Sequence, residues 1–332
     1  MTIMMILPAL ITFIVGYLLI KYPISISVPT ERGMHKNNIA SSGGIAILIG
    51  IISFVILGEL EKDYIYDRQR EFFDIPYIES LLAFIIITII GYLDDTRSLS
   101  KKFRFGTQIL ISYFIVEQIN YLDPLMALTG IIFIVYTVNI YNFMDGIDQL
   151  AISQAIFFAV ASTFIFGWIE FMFSLIFVSF LLINYKKTKI FLGNSGSYLL
   201  GLYIAAAIVL GHQETIHEER ALIAMFILMT TFYVEATYAI ITRFLKKLFS
   251  DALILESIKH VTQAHRTHVY QKLAIKFNSH SKVVLLMMSY NCLWCLPLAY
   301  IAFRYDYLLI PAILSYTPYI YYCYINKAGT ES

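Results

Sequence analysis

The sequence has little charge, few cysteines and no long polar stretch. Charged residues make up 14% of its 332 residues, and hydrophobic residues make up 59%. No polar segment is long enough for a separate soluble domain, and at a net charge of +1 no basic, aromatic-rich pattern indicates nucleic-acid binding. Three cysteines do not form a disulfide framework, and the pair in Cys292-Leu-Trp-Cys295 lies in an apolar run that favours packing. These absences indicate a membrane protein.

Apolar runs long enough to cross a bilayer follow one another along the chain, since a span needs about 20 mainly apolar residues. The first run lacks a basic leader and a small-residue cleavage site, so we interpret it as a span and not as a removed signal peptide. The sequence predicts an all-α polytopic membrane protein with one integral-membrane domain over residues 1–332. About eleven transmembrane helices are predicted near 2–20, 43–58, 78–93, 105–119, 127–142, 150–167, 169–184, 197–211, 221–242, 283–303 and 307–325.

Lysine and arginine are unevenly distributed between the predicted loops. If the loop after the first span is cytoplasmic, 19 of the 24 Lys and Arg residues lie on that side. This asymmetry places the N-terminus outside and the C-terminus in the cytoplasm. The cytoplasmic loops are then predicted near 21–42, 94–104, 143–149, 185–196 and 243–282.

Two pairs of aspartates lie where predicted spans end. Asp94 and Asp95 end the third span, and Asp145 and Asp148 follow the fifth span in Asn142-Phe-Met-Asp-Gly-Ile-Asp. Such acids can be polar helix ends at the membrane interface, or they can position Mg²⁺ or deprotonate a phosphate. Two acidic clusters on one side favour a metal site, although two helix caps remain an alternative. The cations after the first pair, which suit phosphate oxygens, are Arg97, Lys101, Lys102 and Arg104.

Three loop segments add polar groups on the same side. Phe191-Leu-Gly193-Asn194-Ser195-Gly196 opens the eighth span and can present backbone N–H groups to an anion, or it is an ordinary loop. In the loop 243–282, His265, Arg266 and His268 suit a sugar or diphosphate better than zinc, because no cytoplasmic cysteine supplies a further ligand. A solvated basic loop is the alternative. Arg32 and His35 in the first loop can reach a phosphate or a lipid headgroup.

Glu235 lies inside the ninth predicted span. A charge there is costly, so we expect it to pair with a cation or polar group near the cytoplasmic side. Structural and catalytic roles are both open.

The five segments described above are the two aspartate pairs and the three loop segments. In order and together, they resemble bacterial glycosyltransferase family 4, the polyprenyl-phosphate N-acetylhexosamine-1-phosphate transferases. The resemblance spans residues 28–273, and the segments NFMDGID and AHRTHVYQ are most similar to the branch that starts O-antigen chains. Phospho-N-acetylmuramoyl-pentapeptide transferases, which also belong to the family, carry a different, His-rich version of the last loop.

The resemblance implies an exchange at phosphorus in the bacterial inner membrane, with the active site on the cytoplasmic side. Undecaprenyl phosphate attacks the β-phosphorus of a UDP-HexNAc or UDP-deoxyamino sugar, UMP leaves, and a cell-envelope polysaccharide is started. Mg²⁺, with Mn²⁺ as an alternative, is implied as the cofactor that neutralises phosphate charge. No nucleic-acid partner is implied, and the oligomeric state stays open between a monomer and a homodimer.

The resemblance also implies roles for individual residues. Asp94 or Asp95 prepares the lipid phosphate or contacts it through metal, and Asp145, Asp148 and Asn194 take the metal-ligand positions. The donor's nucleotide, sugar or diphosphate is expected at Asn142, Gly193, Ser195, Gly196, His265, Arg266 and His268. Lipid-phosphate or interface contacts are expected at Arg32, His35, Lys101 and Lys102.

Three positions depart from the family pattern. Asn194 stands where the family usually has a metal-binding Asp, Gln149 replaces a usual Gly, and Ala40-Ser41-Ser42 replaces a usual Pro-Arg. We therefore expect weaker metal affinity or a shifted ligand set, and an inactive, lipid-binding or altered-specificity homologue is an open alternative. A transporter is the rival from another class. It would place acids near the midplane, often in repeated halves, whereas these acids lie at helix ends and no repeat is visible.

Overall fold

The computed structural model describes most of the chain. The described residues are 2–28, 38–60, 77–119, 123–166, 170–184, 189–211, 218–250, 253–261, 266–305 and 308–330. Three predicted site residues, Arg32, His35 and His265, lie outside these ranges. By its internal contacts the chain divides into two compact units, Met1–Leu222 and Ile223–Ser332. A single domain over the whole chain stays a prediction.

The first unit is built almost entirely from helices. In chain order they are α1 (Thr2–Lys21), α2 (Gly43–Leu60), α3 (Tyr77–Arg97), α4 (Lys101–Glu117), α5 (Pro124–Met144), α6 (Leu150–Phe166), α7 (Glu170–Ile183) and α8 (Gly193–Gly211). A short antiparallel ribbon before α2 pairs β1 (Ile26–Ser27) with β2 (Ile39–Ala40). Local signals set several helix starts: the side chain of Ser100 caps α4, and that of Asp123 caps α5, whose first residue is Pro124.

Helix α8 is the most enclosed element of the first unit. It is apolar around most of its circumference, which is typical of a helix buried on all sides. Helices α2, α3 and α5 pack against it. Glycine makes the approach to α3 very close, because a Cβ on Gly91 would lie 2.5 Å from Cα of Ser195. The first turn of α8 therefore lies against the last turns of α3, where Asp94 and Asp95 are found.

The second unit consists of the helices that follow. They are α9 (Glu218–Leu228), which crosses the unit boundary, α10 (Thr230–Leu248), α11 (Ile254–Val261), α12 (Val269–Phe277), α13 (His280–Tyr290), α14 (Leu296–Arg304) and α15 (Leu309–Ile325), with a π-helical stretch, Asn291–Cys295, between α13 and α14. Helix α10 packs against α11 and α15. Val234, Val269, Tyr319, Cys323 and Ala328 form a buried cluster in this unit.

The helices confirm an all-α fold with membrane-crossing character. In the part of the chain that the structure describes, four helices are long and apolar enough to span a bilayer: Gly43–Leu60, Pro124–Met144, Gly193–Gly211 and His280–Arg304. The pair Glu218–Leu228 and Thr230–Leu248, bent by 67°, adds a fifth if it counts as one span. Each predicted span falls on a described helix or helix pair. The count of eleven and the sides of the two termini stay predictions.

The fourth predicted span, which is weakly apolar, turns one of its polar residues toward a neighbouring helix. Gln108 of α4 is buried, and its Oε1 accepts a hydrogen bond of 2.7 Å from Nδ2 of Asn139 in α5. This contact gives a partner to an amide that would otherwise be costly in an apolar environment.

The close approach of α3 and α8 predicts that Gly91→Ala destabilises the protein. The added methyl group meets backbone atoms, which cannot rotate away, so we expect a loss of about 1–3 kcal/mol. Gly106→Ala is the matched control, because a Cβ at Gly106 in α4 meets nothing within 4 Å. It should be neutral, or stabilising by up to about 1 kcal/mol through helix propensity. Thermal unfolding of the purified protein in detergent measures both, and equal midpoints would contradict the close contact.

Candidate active site

Asp94 is enclosed by hydrogen-bond donors at the end of α3. Its Oδ2 accepts from Nη1 of Arg104 at 2.5 Å, from Nδ2 of Asn194 at 3.0 Å and from the hydroxyl of Tyr198 at 3.2 Å. Its Oδ1 accepts from the backbone N–H of Leu99 at 3.0 Å. The side chain is 5% exposed, and the guanidinium of Arg104 balances its charge. These contacts hold the carboxylate of Asp94 firmly in place.

Asp95 faces the N-terminus of α8. Its carboxylate accepts hydrogen bonds from the backbone N–H groups of Asn194, at 3.1 Å, and Ser195, at 3.5 Å. Gly193 permits this approach, because its φ is +70° and a Cβ there would lie 2.6 Å from Oδ2 of Asp95. The N–H groups that the sequence offers to a substrate anion therefore point at a carboxylate of the same chain.

Four carboxylates, those of both aspartate pairs, influence one another through their charges. Burial raises the pKa of Asp95, which lies just beyond the predicted span 78–93, from 3.8 to about 6. The N–H groups of Asn194 and Ser195 oppose this rise, and the charge of Asp94 adds to it. Burial also raises the pKa of Asp145 well above its usual value, and the nearby charges of Asp95 and Asp148 raise it further. The ends of α3 and α5 therefore concentrate negative charge.

The turn after α5 carries the second aspartate pair and one of the three positions that depart from the family pattern. Asn142, in the last turn of α5, accepts a hydrogen bond of 2.8 Å from the hydroxyl of Ser197 in α8. Gln149, at the usual glycine position, adopts a φ of +70°, a conformation that strains a residue with a side chain. Its Nε2 donates to the carbonyl of Asn184 at 3.0 Å.

The first loop meets the same helix N-terminus. The backbone N–H groups of Gly43 and Gly44 donate to the carbonyls of Phe191 and Leu192, at 2.9 and 3.1 Å. A Cβ on Gly44 would overlap the backbone of Gly196. Four of the five predicted segments thus come together in the first unit: the end of the first loop, the Asp94 pair, the Asp145 pair and the start of α8. Lys101 and Lys102 begin α4 and are exposed.

The fifth segment belongs to the second unit. His268 occupies the N-cap position of α12, is buried, and stacks on the ring of Tyr270 with centroids 5.5 Å apart. Arg266 lies two residues earlier and is partly buried. Glu235 also lies in this unit, on α10, and it pairs with polar groups as expected: the N–H of Tyr270 and the hydroxyl of Tyr319.

Comparison with known proteins tests the resemblance. Residues 77–212 match the model of glycosyl transferase family 4. The resemblance to this family is confirmed. The matched region includes both aspartate pairs, Asn142 and the first turn of α8, so the family match and the geometry converge on the same part of the first unit.

Curated relatives carry names from two branches of glycosyl transferase family 4. A Bacillus subtilis protein named as a probable undecaprenyl-phosphate N-acetylglucosaminyl 1-phosphate transferase is 26% identical over 79% of this chain and 73% of its own length. The undecaprenyl-phosphate alpha-N-acetylglucosaminyl 1-phosphate transferase of Thermotoga maritima is 24% identical over 91% of this chain and 89% of its own length. The phospho-N-acetylmuramoyl-pentapeptide-transferase of Prochlorococcus marinus is 27% identical over 65% of this chain and 66% of its own length.

Two residues at this site have contacts that the sequence does not indicate. Arg104 was one of four cations offered to phosphate, but it pairs with Asp94. Tyr198 was not identified, although it lies one helical turn after Asn194 on α8 and therefore shares a face with it. Its hydroxyl also accepts from Arg104 at 3.3 Å. Together they hold Asp94 in place.

A magnesium site stays a prediction. Asp95, Asp145 and Asp148 carry the hard oxygen atoms that Mg²⁺ binds, and Mg²⁺ commonly uses one or two carboxylates together with phosphate oxygens. Within the described residues, no group of three or more His, Cys, Asp or Glu side chains could hold a metal ion. The side chain of Asn194 has its amide nitrogen engaged with Asp94.

The raised pKa of Asp95 predicts a pH-dependent stability cost. The folded state holds the proton up to about pH 6, whereas the unfolded chain loses it near 3.8, so stability falls as pH rises between these values. The loss is at most about 3 kcal/mol and is complete above pH 6. Without divalent cations, Asp95→Asn should therefore unfold at a higher temperature than the wild type at pH 8, with a smaller difference at pH 5.

Asp123→Asn is the matched control for this measurement. It exchanges one good N-cap residue for another at an exposed helix start, so its midpoint should follow that of the wild type at both pH values. An Asp95→Asn advantage that does not change with pH would show that the carboxylate charge carries no cost in the folded state.

Proposed function

We propose that the chain transfers a HexNAc-1-phosphate, or a deoxyamino-sugar-1-phosphate, from a UDP-sugar to undecaprenyl phosphate and releases UMP. The observation that carries the proposal is the concentration of Asp95, Asp145 and Asp148 at the ends of α3 and α5, inside the region that matches glycosyl transferase family 4. The relatives' names supply the acceptor and the sugar-1-phosphate chemistry.

The position of the acids at helix ends suits a reaction between a lipid and a nucleotide. The polyprenyl chain stays in the bilayer, whereas the UDP-sugar arrives from water, so the reacting phosphates meet only at the boundary. We place this boundary on the cytoplasmic side of the bacterial inner membrane, following the distribution of Lys and Arg. Exposed Lys101 and Lys102, at the start of α4, then meet the lipid phosphate or the headgroup layer.

In the proposed reaction Asp95 handles the proton of the acceptor phosphate. A phosphate monoester loses its second proton near pH 6, which is about the pKa of Asp95. A base matched to its acid takes the proton with little change in free energy. The freed lipid oxygen attacks the β-phosphorus of the donor, and the bond from that phosphorus to UMP breaks. Asp94 touches no reacting atom in this scheme and orients Arg104, Asn194 and Tyr198.

We propose Asp145, Asp148 and the side-chain oxygen of Asn194 as ligands of Mg²⁺, or of Mn²⁺, with Asp95 nearby. A bound divalent ion would neutralise the crowded charge of the donor diphosphate. Asn142, Gly193, Ser195 and Gly196 line the nucleotide side, and His265, Arg266 and His268 meet the sugar or diphosphate.

The proposal also extends to the identity of the donor sugar and to the pathway. The relatives' names favour N-acetylglucosamine as the first donor to test. The motifs NFMDGID and AHRTHVYQ favour a role in starting an O-antigen or related lipopolysaccharide chain. Asn194 keeps a second function open, a homologue that binds polyprenyl phosphate without turnover, because a neutral side chain stands at a metal-ligand position.

UMP release from purified protein tests the enzyme proposal. The assay supplies undecaprenyl phosphate, Mg²⁺ and a panel of UDP-sugars that includes UDP-N-acetylglucosamine. We expect UMP with at least one sugar, and about a hundredfold or greater loss in Asp95→Asn because the proton acceptor is removed. Asp123→Asn, far from the acids in sequence and exposed, should keep the wild-type rate. Folded protein that releases no UMP with any sugar would overturn the proposal.

The amide at 194 predicts a gain in metal affinity when its charge is restored. In Asn194→Asp, a carboxylate replaces the amide that lies 3.0 Å from Oδ2 of Asp94, so two negative groups repel unless a cation binds between them. Without Mg²⁺ the variant should melt earlier than the wild type. Because binding to the folded state stabilises it, Mg²⁺ should raise the variant's midpoint by more than the wild type's.

Asn194→Ser serves as the neutral control for this comparison, since it removes the amide without adding charge. The same Mg²⁺ response in all three proteins would place position 194 away from the metal. The readout is a melting midpoint, so it remains informative for a protein without turnover.

A further inference from the structure

Glu235 is a buried carboxylate that contacts a helix start instead of a cation. It lies on α10 and is 1% exposed. Its Oε1 accepts a hydrogen bond of 2.7 Å from the backbone N–H of Tyr270, and its Oε2 accepts one of 2.9 Å from the hydroxyl of Tyr319 on α15. The side chain therefore joins α10, α12 and α15 at one point.

The contact supplies what the start of α12 lacks. The first backbone N–H groups of a helix have no partner within it, and an N-cap side chain usually accepts one of them. His268 holds the N-cap position of α12 but makes no such bond with its side chain. The carboxylate of Glu235 accepts the N–H of Tyr270 in its place, and a negative charge at a helix N-terminus is favourable.

The same short segment is held from its other side by the end of the chain. The backbone N–H of Gly329 donates to the carbonyl of Thr267 at 2.9 Å, and Nζ of Lys272 donates to the carbonyl of Lys327 at 2.8 Å. Val269, the first residue of α12, packs in the buried cluster with Tyr319. Residues 267–272 are thus bound from α10, from α15 and from the turn after α15.

We propose that Glu235 is a positioning residue: it anchors the first turn of α12 and thereby holds the side chains of Arg266 and His268 in place to bind the UDP-sugar. This inference rests on the proposed function for the role of Arg266 and His268, and on the contacts above for the anchor. This role also explains why a carboxylate, which is costly among apolar helices, stands at position 235. Its oxygens accept hydrogen bonds that hold the start of α12, and they take no part in the reaction.

Hydrogen exchange tests the anchor without any substrate. In Glu235→Ala the amides of residues 269–272 should exchange at least tenfold faster than in the wild type, because the acceptor of the Tyr270 N–H is gone. Glu235→Gln should restore most of the protection, since its amide oxygen can accept the same bond. Unchanged exchange in Glu235→Ala would overturn the anchor, whatever the activity of the protein.

Steady-state kinetics test the positioning role. We expect the KM for the UDP-sugar to rise about tenfold or more in Glu235→Ala, with a smaller rise in Tyr319→Phe and recovery in Glu235→Gln. The KM for undecaprenyl phosphate should stay within about twofold of wild type. The control is Tyr290→Phe, which removes a hydroxyl bond of the same kind, 2.7 Å to the carbonyl of Ser315 and not to Glu235.

The outcomes separate the inference from its alternatives. A fall in kcat with both KM values unchanged would make Glu235 a catalytic group, and equal changes in both KM values, matched by Tyr290→Phe, would make it a general stability residue. Either result overturns the positioning role. If Glu235→Ala does not fold, Glu235→Gln and Tyr319→Phe decide by the same KM comparison. A wild type without turnover overturns the proposed function, while the exchange result still decides the anchor.

Discussion

The meeting of two adjacent carboxylates with the N-terminus of α8 is the constraint on which the candidate site depends. Asp94 is neutralised by Arg104 and enclosed by hydrogen bonds, whereas Asp95 faces two backbone N–H groups and keeps a raised pKa. The same chemical group thus has two different environments one residue apart. The close contact between Gly91 and Ser195 places both acids against α8.

Much of the fold and of the site's composition followed from local sequence patterns. Apolar run length located the helices, and acids or glycines at the ends of those runs identified four segments that meet in the first unit. The pairing of Arg104 and Tyr198 with Asp94 was not visible, because it joins residues on three helices, up to 104 positions apart. The sequence also offered the N–H groups of α8 to a substrate, since nothing local shows that Asp95 lies in front of them.

Asn194, where the family usually has Asp, changes a hydrogen bond as well as a charge. A metal-binding aspartate there would stand beside Asp94 as a like charge, whereas the amide donates a hydrogen bond to it. The site therefore has less negative charge, and Asp94 has one more donor. In the second unit, the carboxyl group of Glu235 is explained by its contacts with the N–H of Tyr270 and the hydroxyl of Tyr319. In both places the hydrogen bonds of the polar side chain explain its identity.

The glycine contacts have a consequence for how such a protein can change its substrate. Where Gly44 meets Gly196 and Gly91 meets Ser195, backbone lies against backbone, and no side chain at these glycines is available for variation. The backbone contacts that position the acids therefore leave little room for substitutions at these glycines. Under the proposed function, new sugar preferences would arise where side chains can be exchanged, such as in the loop that carries Arg266 and His268. An engineer seeking another donor should mutate that loop and leave the glycines untouched.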